Sequence, residues 1–246
     1  PIKKIAKIII EFRNSRNCPY PYFHIDAAQA VNYFDINVNN LGVDLMTISS
    51  HKIYGPKGVA ALYVRNGTQI EPMIYGGGQE FGLRSTTEAV PLIVGLSKAL
   101  ELCQKLKIKN QKYLNELRTY FINKLRLLIP EIRINGPENK KDCASHIISA
   151  TFDEVENEQL LLYLDKYGIR ASAGSACSSR DIEPSHVLTA LGLSKKEARS
   201  TIRFSLGCQT TKKDLDYVLK ILPKVVKKIE GLYPKDLKNH YYGGIN

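Results

Sequence analysis

Two apolar runs, each followed closely by a reactive side chain, constrain this fold more than any other feature of the sequence. Tyr22–Asp26 (YFHID) ends in a carboxylate, and Val43–Ser49 (VDLMTIS) leads within three residues to Lys52. Short apolar runs bounded by turn-forming residues predict buried strands. One strand–connection–strand unit would bring Asp26 and Lys52 to the same rim of a sheet, which is where open α/β sheets bind ligands.

The remaining periodicity predicts an α/β protein of two lobes. Residues 1–13 place isoleucines at helical spacing, and Val59–Arg65 (VAALYVR) predicts a third strand. A long helical region over Ala89–Leu128 is expected to break near Ile108–Asn110. The later strand-like stretches are 131–151, 168–173 and 201–206, and the later helical ones are 156–167 and 212–231.

Length and cysteine usage set further bounds. The 246 residues suffice for two modest domains, and we place a boundary near residue 100, between a large domain (1–100) and a smaller α+β domain (101–246). No apolar run could cross a membrane, and no signal-peptide pattern opens the chain. Five scattered cysteines without a C-x-x-C pair argue against a zinc site and favour a reducing, cytoplasmic location.

The formal charge of +11 leaves two interpretations open. A basic surplus towards the C-terminus could bind an acidic protein or nucleic acid, or it could be a solvated lysine-rich helix face. No block of Lys and Arg is interleaved with aromatic residues, so direct binding of nucleic acid is weakly supported.

A lysine and a carboxylate at one sheet rim suit pyridoxal phosphate. The amine of Lys52 can form a Schiff base with the cofactor aldehyde, while Asp26 keeps the ring nitrogen protonated. Gln29 could reach the ring oxygen, and Ser49 and His51 could donate hydrogen bonds to the phosphate. The alternative is a surface salt bridge between Asp26 and Lys52, or no contact, and spacing alone leaves both interpretations open.

Two more residues are chemically suggestive. Cys177 lies alone in the small-residue run SAGSACSSRD, which predicts a flexible, exposed loop around either an inert surface thiol or a mobile nucleophile. Arg203 lies in the predicted strand Thr201–Ser205, where it would either face solvent or bind a substrate carboxylate through two hydrogen bonds.

These motifs together closely resemble the cysteine desulfurase family of NifS/IscS type, within the class V aminotransferases. The resemblance covers most of the chain and implies part of the fold type I (aspartate aminotransferase-like) large domain followed by a smaller domain. The "GSAC" form of the cysteine loop resembles the IscS-like group. In chain order the motifs are HIDAAQA, SSHKIYGPKG, GGGQEFGLRSTT, SAGSACSS and STIRFSLG.

The resemblance implies a role for each matching residue of the first motifs. Lys52 would be the Schiff-base lysine, and Asp26 would pair with the pyridine nitrogen. Gln29 would contact the ring hydroxyl, and Ser49 and His51 would hold the phosphate.

Roles also follow for the later motifs. Thr87 would reach a phosphate in the neighbouring subunit of a homodimer, and Arg203 would bind the substrate carboxylate. Cys177 would attack the substrate sulfur and contact an Fe–S cluster at most transiently, with no permanent metal site. Thr86 replaces a usual glycine, and it would be strained if that position needs a positive φ.

The resemblance implies that L-cysteine becomes L-alanine and a persulfide, for Fe–S assembly or tRNA thiolation, with a sulfur-acceptor or scaffold protein as partner. Family members carry cofactor-holding residues before the HIDAAQA motif, so we expect this chain alone to bind the cofactor poorly. It could work with a separately encoded N-terminal half. The alternatives are a non-catalytic dimerisation or partner-binding module, or another class V enzyme such as a selenocysteine lyase.

Overall fold

The computed structural model describes residues 1–137, 143–174 and 184–232. The chain divides into two compact units, Pro1–Lys109 and Asn110–Asn246. The division falls inside the long helix in which the sequence placed a boundary near residue 100. Each unit contains a three-stranded sheet.

The first unit is built on a mixed sheet of order β1-β2-β3. β1 and β2 are parallel, with Asp26 opposite Thr47, and β3 is antiparallel to β2, with Ala60 opposite Ser49. The parallel pair makes β1 and β2 end at the same edge. The helices and strands of this unit, up to the helix that crosses the division, are α1 (Ile2–Arg16), β1 (His24–Asp26), α2 (Val38–Leu41), β2 (Leu45–Ser49), β3 (Ala60–Val64) and α3 (Val90–Leu128).

The core of the first unit lies between this sheet, the turn after β2 and the N-terminal half of α3. Met46 and Ile48 alternate with less buried residues along β2, as expected for a strand with one face against a core. The other buried members of this cluster are Ala27, Val31, Val43, Ile53, Leu96, Ala99 and Cys103. Burial of this apolar surface is the main stabilising contribution in the unit.

α3 is one continuous helix, so the break expected near Ile108–Asn110 was wrong. Asn110 is a weak helix former, but the segment contains no proline or glycine that would remove a ladder hydrogen bond or loosen the backbone. Pro91 lies in the first turn, where a missing N–H costs nothing. No helix in the described ranges is long and apolar enough to cross a bilayer.

Asp44 is a buried carboxylate immediately before β2. It accepts hydrogen bonds from the Arg13 guanidinium at 2.5 Å and from the Phe23 N–H at 2.7 Å. Arg65 approaches its other oxygen at 3.9 Å. Burial alone would raise the pKa of Asp44, but these hydrogen bonds and the two positive charges outweigh burial and lower the pKa. The carboxylate therefore ties α1 and the entry to β1 to the start of β2.

The second unit packs helices against an antiparallel sheet of order β4-β5-β6. Ile202 and Phe204 of β6 are buried, and the Phe204 ring meets Phe121 of α3 edge to face at 5.2 Å between centroids. α7 lays a row of leucines and valines against this unit and leaves its lysines exposed. The elements are β4 (Arg133–Asn135), β5 (Ile147–Thr151), α4 (Asn157–Lys166), α5 (His186–Ala190), α6 (Lys195–Arg199), β6 (Thr201–Ser205) and α7 (Lys212–Leu232).

Asp44→Asn is expected to destabilise the first unit by about 3 kcal/mol at pH 7, because Arg13 loses its buried countercharge. The folded-state pKa of Asp44 lies below the model-peptide value of 3.8. Its stabilisation is therefore complete above that value and disappears as the pH falls through the folded-state pKa. Urea titrations at pH 7 and in acid, read by hydrogen exchange on peptides from residues 1–109, measure this difference.

Glu71→Gln, at an exposed carboxylate of the same unit, is the matched control and should leave stability unchanged. An Asp44→Asn cost that is equal in acid and at neutral pH would contradict the assignment.

Candidate active site

The carboxylate of Asp26 lies at the end of β1. Its Oδ1 accepts a hydrogen bond from the Ala28 N–H at 2.9 Å, which fixes the side chain as the strand turns away from the sheet. Two positions earlier, Nε2 of His24 shares a hydrogen bond of 2.9 Å with the Thr47 hydroxyl of β2. Asp26 itself remains exposed and available to a ligand.

Lys52 lies in a 3₁₀ turn, Ser50–Ile53, directly after β2. The Ser49 hydroxyl and Nδ1 of His51 are 3.0 Å apart and share a hydrogen bond. Because β1 and β2 are parallel, this turn leaves the sheet at the same edge as Asp26. Asp26, Ser49, His51 and Lys52 therefore lie at or just beyond the same edge of the sheet.

The turn that holds Lys52 is closely packed. Tyr54 adopts a left-handed conformation (φ 66°), and its N–H and that of Gly55 both bond to the Ser50 carbonyl. A Cβ on Gly55 would lie 2.3 Å from the Ser50 Oγ, so only glycine fits there without movement. Ile53 is buried in the core while Lys52 stays exposed. The backbone is thus fixed although the reactive side chain is solvent-accessible.

No ion pair joins Asp26 to Lys52 in the part of the chain that the structure describes. The surface salt bridge considered from the sequence is therefore not formed. Gln29 is exposed in the turn that follows Asp26.

The glycine-rich loop before α3 holds Thr87 in an exposed position. Its two arms meet in a bridge between Ile74 and Arg84. Glu80 and Phe81 have positive φ values of 50° and 59°, whereas Thr86 does not. Strain in this loop therefore lies at Glu80 and Phe81, and the strain considered for Thr86 is absent.

In the second unit, Arg203 lies in a row of four side chains across the sheet. Asn135 pairs with Ser149, Ser149 with Arg203, and Arg203 with Ser172. Nε of Arg203 is buried without a hydrogen-bond partner in the described residues. An unsatisfied donor on a permanent cation, flanked by hydroxyls, is suited to an incoming carboxylate.

His146, also in this unit, is kept neutral. Burial, and then the positive charge of Arg203, lowers the pKa of His146 to about 4. It therefore adds no positive charge that would compete with Arg203 at neutral pH.

Ser172, which precedes the predicted cysteine loop, is held in place by hydrogen bonds. Ser172 exchanges backbone hydrogen bonds with Arg203, at 3.1 and 2.6 Å, and its hydroxyl bonds to the Gly174 carbonyl at 2.7 Å. Cys177 itself lies outside the described residues.

Residues 2–218 match the aminotransferase class-V family. The chain belongs to this family. It is 44% identical over 95% of its length to the cysteine desulfurase IscS of Dictyoglomus turgidum. A solved NifS-like protein superposes with a TM-score of 0.81 at 31% identity over 93% of the chain. A structure of SspA in complex with cysteine superposes with a TM-score of 0.62 at 34% identity over 84%.

The class V chain described here spans 57% of the length of the Dictyoglomus relative and of the NifS-like chain, and 54% of the SspA chain. Together with the family match, the superpositions show that its architecture is part of fold type I, as the sequence predicted.

Class V enzymes use pyridoxal phosphate, and the donor set at the β1–β2 edge fits that group. The edge offers an amine for the aldehyde, a carboxylate for the ring nitrogen, and a hydroxyl–imidazole pair for the phosphate. These groups are, in order, Lys52, Asp26, and Ser49 with His51.

The sequence did not reveal what holds the Lys52 turn of this class V chain in place. No pattern in the sequence marks Asn32 or Cys103. Both contact the turn from distant positions in the chain, which no local pattern records. The Gly-Pro content of HKIYGPKG signalled a loop but not the close approach of Gly55 to Ser50.

Gly55→Ala is expected to destabilise the first unit by about 1–3 kcal/mol, because the new Cβ overlaps the Ser50 hydroxyl. Adding Ser50→Ala should restore part of the loss, since that hydroxyl is buried without a hydrogen bond in the described structure. Gly231→Ala, where a Cβ meets open space, is the control. Thermal unfolding of the four proteins gives the comparison, and equal loss in single and double variants would contradict the packing argument.

Proposed function

We propose that this chain supplies the reacting residues of a cysteine desulfurase, which converts L-cysteine to L-alanine and leaves a persulfide on Cys177. The observation that supports this most directly is the parallel β1–β2 pair, which brings Asp26 and the Lys52 turn to one edge. The named relatives at 41–44% identity over 95–98% of the chain are cysteine desulfurases. SspA, a structural neighbour, was solved in complex with cysteine.

Besides Lys52 and Thr87, four residues would hold the cofactor. When bound, pyridoxal phosphate supplies an aldehyde that captures amines and a ring that withdraws electrons from the substrate Cα. Asp26 would keep a proton on the ring nitrogen, and Ser49 and His51 would donate hydrogen bonds to the phosphate. Gln29, exposed three residues after Asp26, would donate to the ring hydroxyl.

Lys52 would act twice through Nζ. Its amine would hold the cofactor through the aldehyde, and when free it would take the α-proton of the substrate and later return it. Both tasks need a mobile side chain attached to a fixed backbone. The Ser50–Ile53 turn has this arrangement.

Arg203 would bind the substrate carboxylate. Its buried Nε lacks a partner in the described chain, so a bound carboxylate would satisfy a donor that otherwise raises the energy of the site. Replacing its planar group by lysine would lose the paired hydrogen bonds.

Cys177 would receive the sulfur. Its thiolate attacks the substrate Sγ, an S–S bond forms, and the substrate Cβ–Sγ bond breaks. The electron pair of that bond ends in a new C–H bond of alanine. One substrate cysteine and one enzyme thiol thus become one alanine and one persulfide, with no external oxidant or reductant.

The persulfide would pass to an acceptor or Fe–S scaffold protein in a reducing, cytoplasmic setting. None of the cysteines in the described ranges forms a disulfide, which suits that environment. A homodimer would let the exposed Thr87 reach a phosphate in the neighbouring subunit.

Lys52→Ala is expected to abolish selective attachment of pyridoxal phosphate. The protein is incubated with the cofactor, reduced with borohydride, digested, and analysed by peptide mass spectrometry. Lys52 should be labelled well above Lys57, a nearby exposed lysine that serves as the internal control at any occupancy. Equal labelling of the two lysines would refute the assignment of Lys52.

Cys177→Ser is expected to stop alanine formation from L-cysteine, because a hydroxyl is a poor nucleophile towards sulfur. Alanine is quantified by chromatography, and the persulfide is located by alkylation and mass spectrometry. Cys208→Ser, at an exposed cysteine, should retain alanine formation. The comparison is made in a preparation in which the parent protein forms alanine, and equal alanine formation by Cys177→Ser there disproves the role of this thiol.

A further inference from the structure

Asn32 connects the segment that follows Asp26 to the turn that holds Lys52. Its side-chain Nδ2 donates a hydrogen bond to the backbone carbonyl of Lys52 at 3.4 Å. Its Oδ1 accepts a hydrogen bond from the thiol of Cys103. The amide therefore lies between two elements that are far apart in sequence.

The chemistry of the two partners determines the orientation of this amide. A backbone carbonyl can only accept a hydrogen bond, so it must face the NH₂ end of Asn32. The thiol of Cys103 is then the donor to Oδ1. The flipped amide would place two oxygens against each other and leave the NH₂ group facing a sulfur that accepts hydrogen bonds only weakly.

Cys103 anchors this contact to the core. It is 7% exposed on α3, and its sulfur also lies 3.8 Å from the carbonyl of Ile53. Ile53 is 1% exposed. The carbonyl of Lys52 is therefore held by Asn32, whereas the sulfur of Cys103, whose one hydrogen is donated to Asn32, packs beside the carbonyl of Ile53.

We propose that Asn32, anchored by Cys103, is a positioning residue for Lys52. It holds the turn at a constant distance from the segment that carries Asp26, so that a solvent-exposed amine returns to one place relative to that carboxylate. The proposal rests on the cofactor role of Lys52. It assigns no contact between Asn32 and substrate or cofactor.

The test uses near-isosteric substitutions. Asn32→Asp replaces the Nδ2 donor by an oxygen, Cys103→Ala removes the anchoring donor, and Cys103→Ser keeps a donor. Asn40→Asp makes the same chemical change at an exposed position and is the control. Two quantities are measured for each variant. The first is amide exchange of peptides covering residues 50–55, and the second is the ratio of cofactor labelling at Lys52 to that at Lys57 after borohydride reduction.

Asn32→Asp should speed exchange at Tyr54 and Gly55 about tenfold, which corresponds to the loss of one hydrogen bond. It should also lower the trapping ratio and change its pH profile, while exchange in β2 stays unchanged. Cys103→Ala should shift both readouts in the same direction, and Cys103→Ser should restore the parent values.

The proposal is overturned if Asn32→Asp and Cys103→Ala show the same exchange rates and trapping ratios as the parent chain. Equal acceleration across the whole first unit would also overturn it, because that result indicates a general structural role. If the parent chain shows no preference for Lys52 in trapping but exchange responds as expected, the turn assignment stands and the cofactor function fails.

Discussion

The parallel pairing of β1 with β2 is the constraint on which the candidate site depends. Parallel strands need a crossover between them, and here residues 27–44 form it. Because both strands run the same way, the side chains that follow each strand emerge at one edge. An antiparallel pairing of the same two strands would put Asp26 and Lys52 at opposite ends of the sheet.

In this arrangement the backbone around Lys52 is closely packed, whereas its side chain is exposed. Ile53 is buried, Gly55 packs against Ser50 with no room for a side chain, and the carbonyl of Lys52 accepts a bond from Asn32. The amine of Lys52 is nevertheless exposed. The role proposed for Lys52, to bind an aldehyde and then move a proton, benefits from this combination, since the backbone position stays constant while the side chain turns.

The second unit also combines a buried framework with a polar surface, here on the two faces of one sheet. A row of polar side chains crosses the face of an antiparallel sheet whose other face is buried by Ile202 and Phe204. Arg203 lies in that row, and its strand also pairs with Ser172, which precedes the predicted cysteine loop. Arg203, the proposed substrate-binding cation, is thus paired through its backbone with the residue that precedes the loop.

Local patterns in the sequence predicted the strands well, because alternation and apolar runs depend only on neighbouring residues. They predicted three strands around Asp26, Ser49 and Arg65, although all three begin later than expected. The strand-like stretch 168–173 contains only an isolated bridge at Ser172. β2 begins only after Asp44, whose carboxylate binds Arg13 and the Phe23 N–H. The helix break was wrong because propensity at one residue is weaker than a continuous hydrogen-bond ladder.

The sequence by itself determined which residue types follow the strands, and through its motifs it determined the family. Tertiary structure alone decided that β1 and β2 pair in parallel, that Arg203 retains an unsatisfied buried donor, and that Cys103 and Asn32 hold the Lys52 turn. The physical reason is the sequence separation between the residues in contact. Periodicity reports contacts between residues a few positions apart, whereas these features join residues separated by 20 to 71 positions.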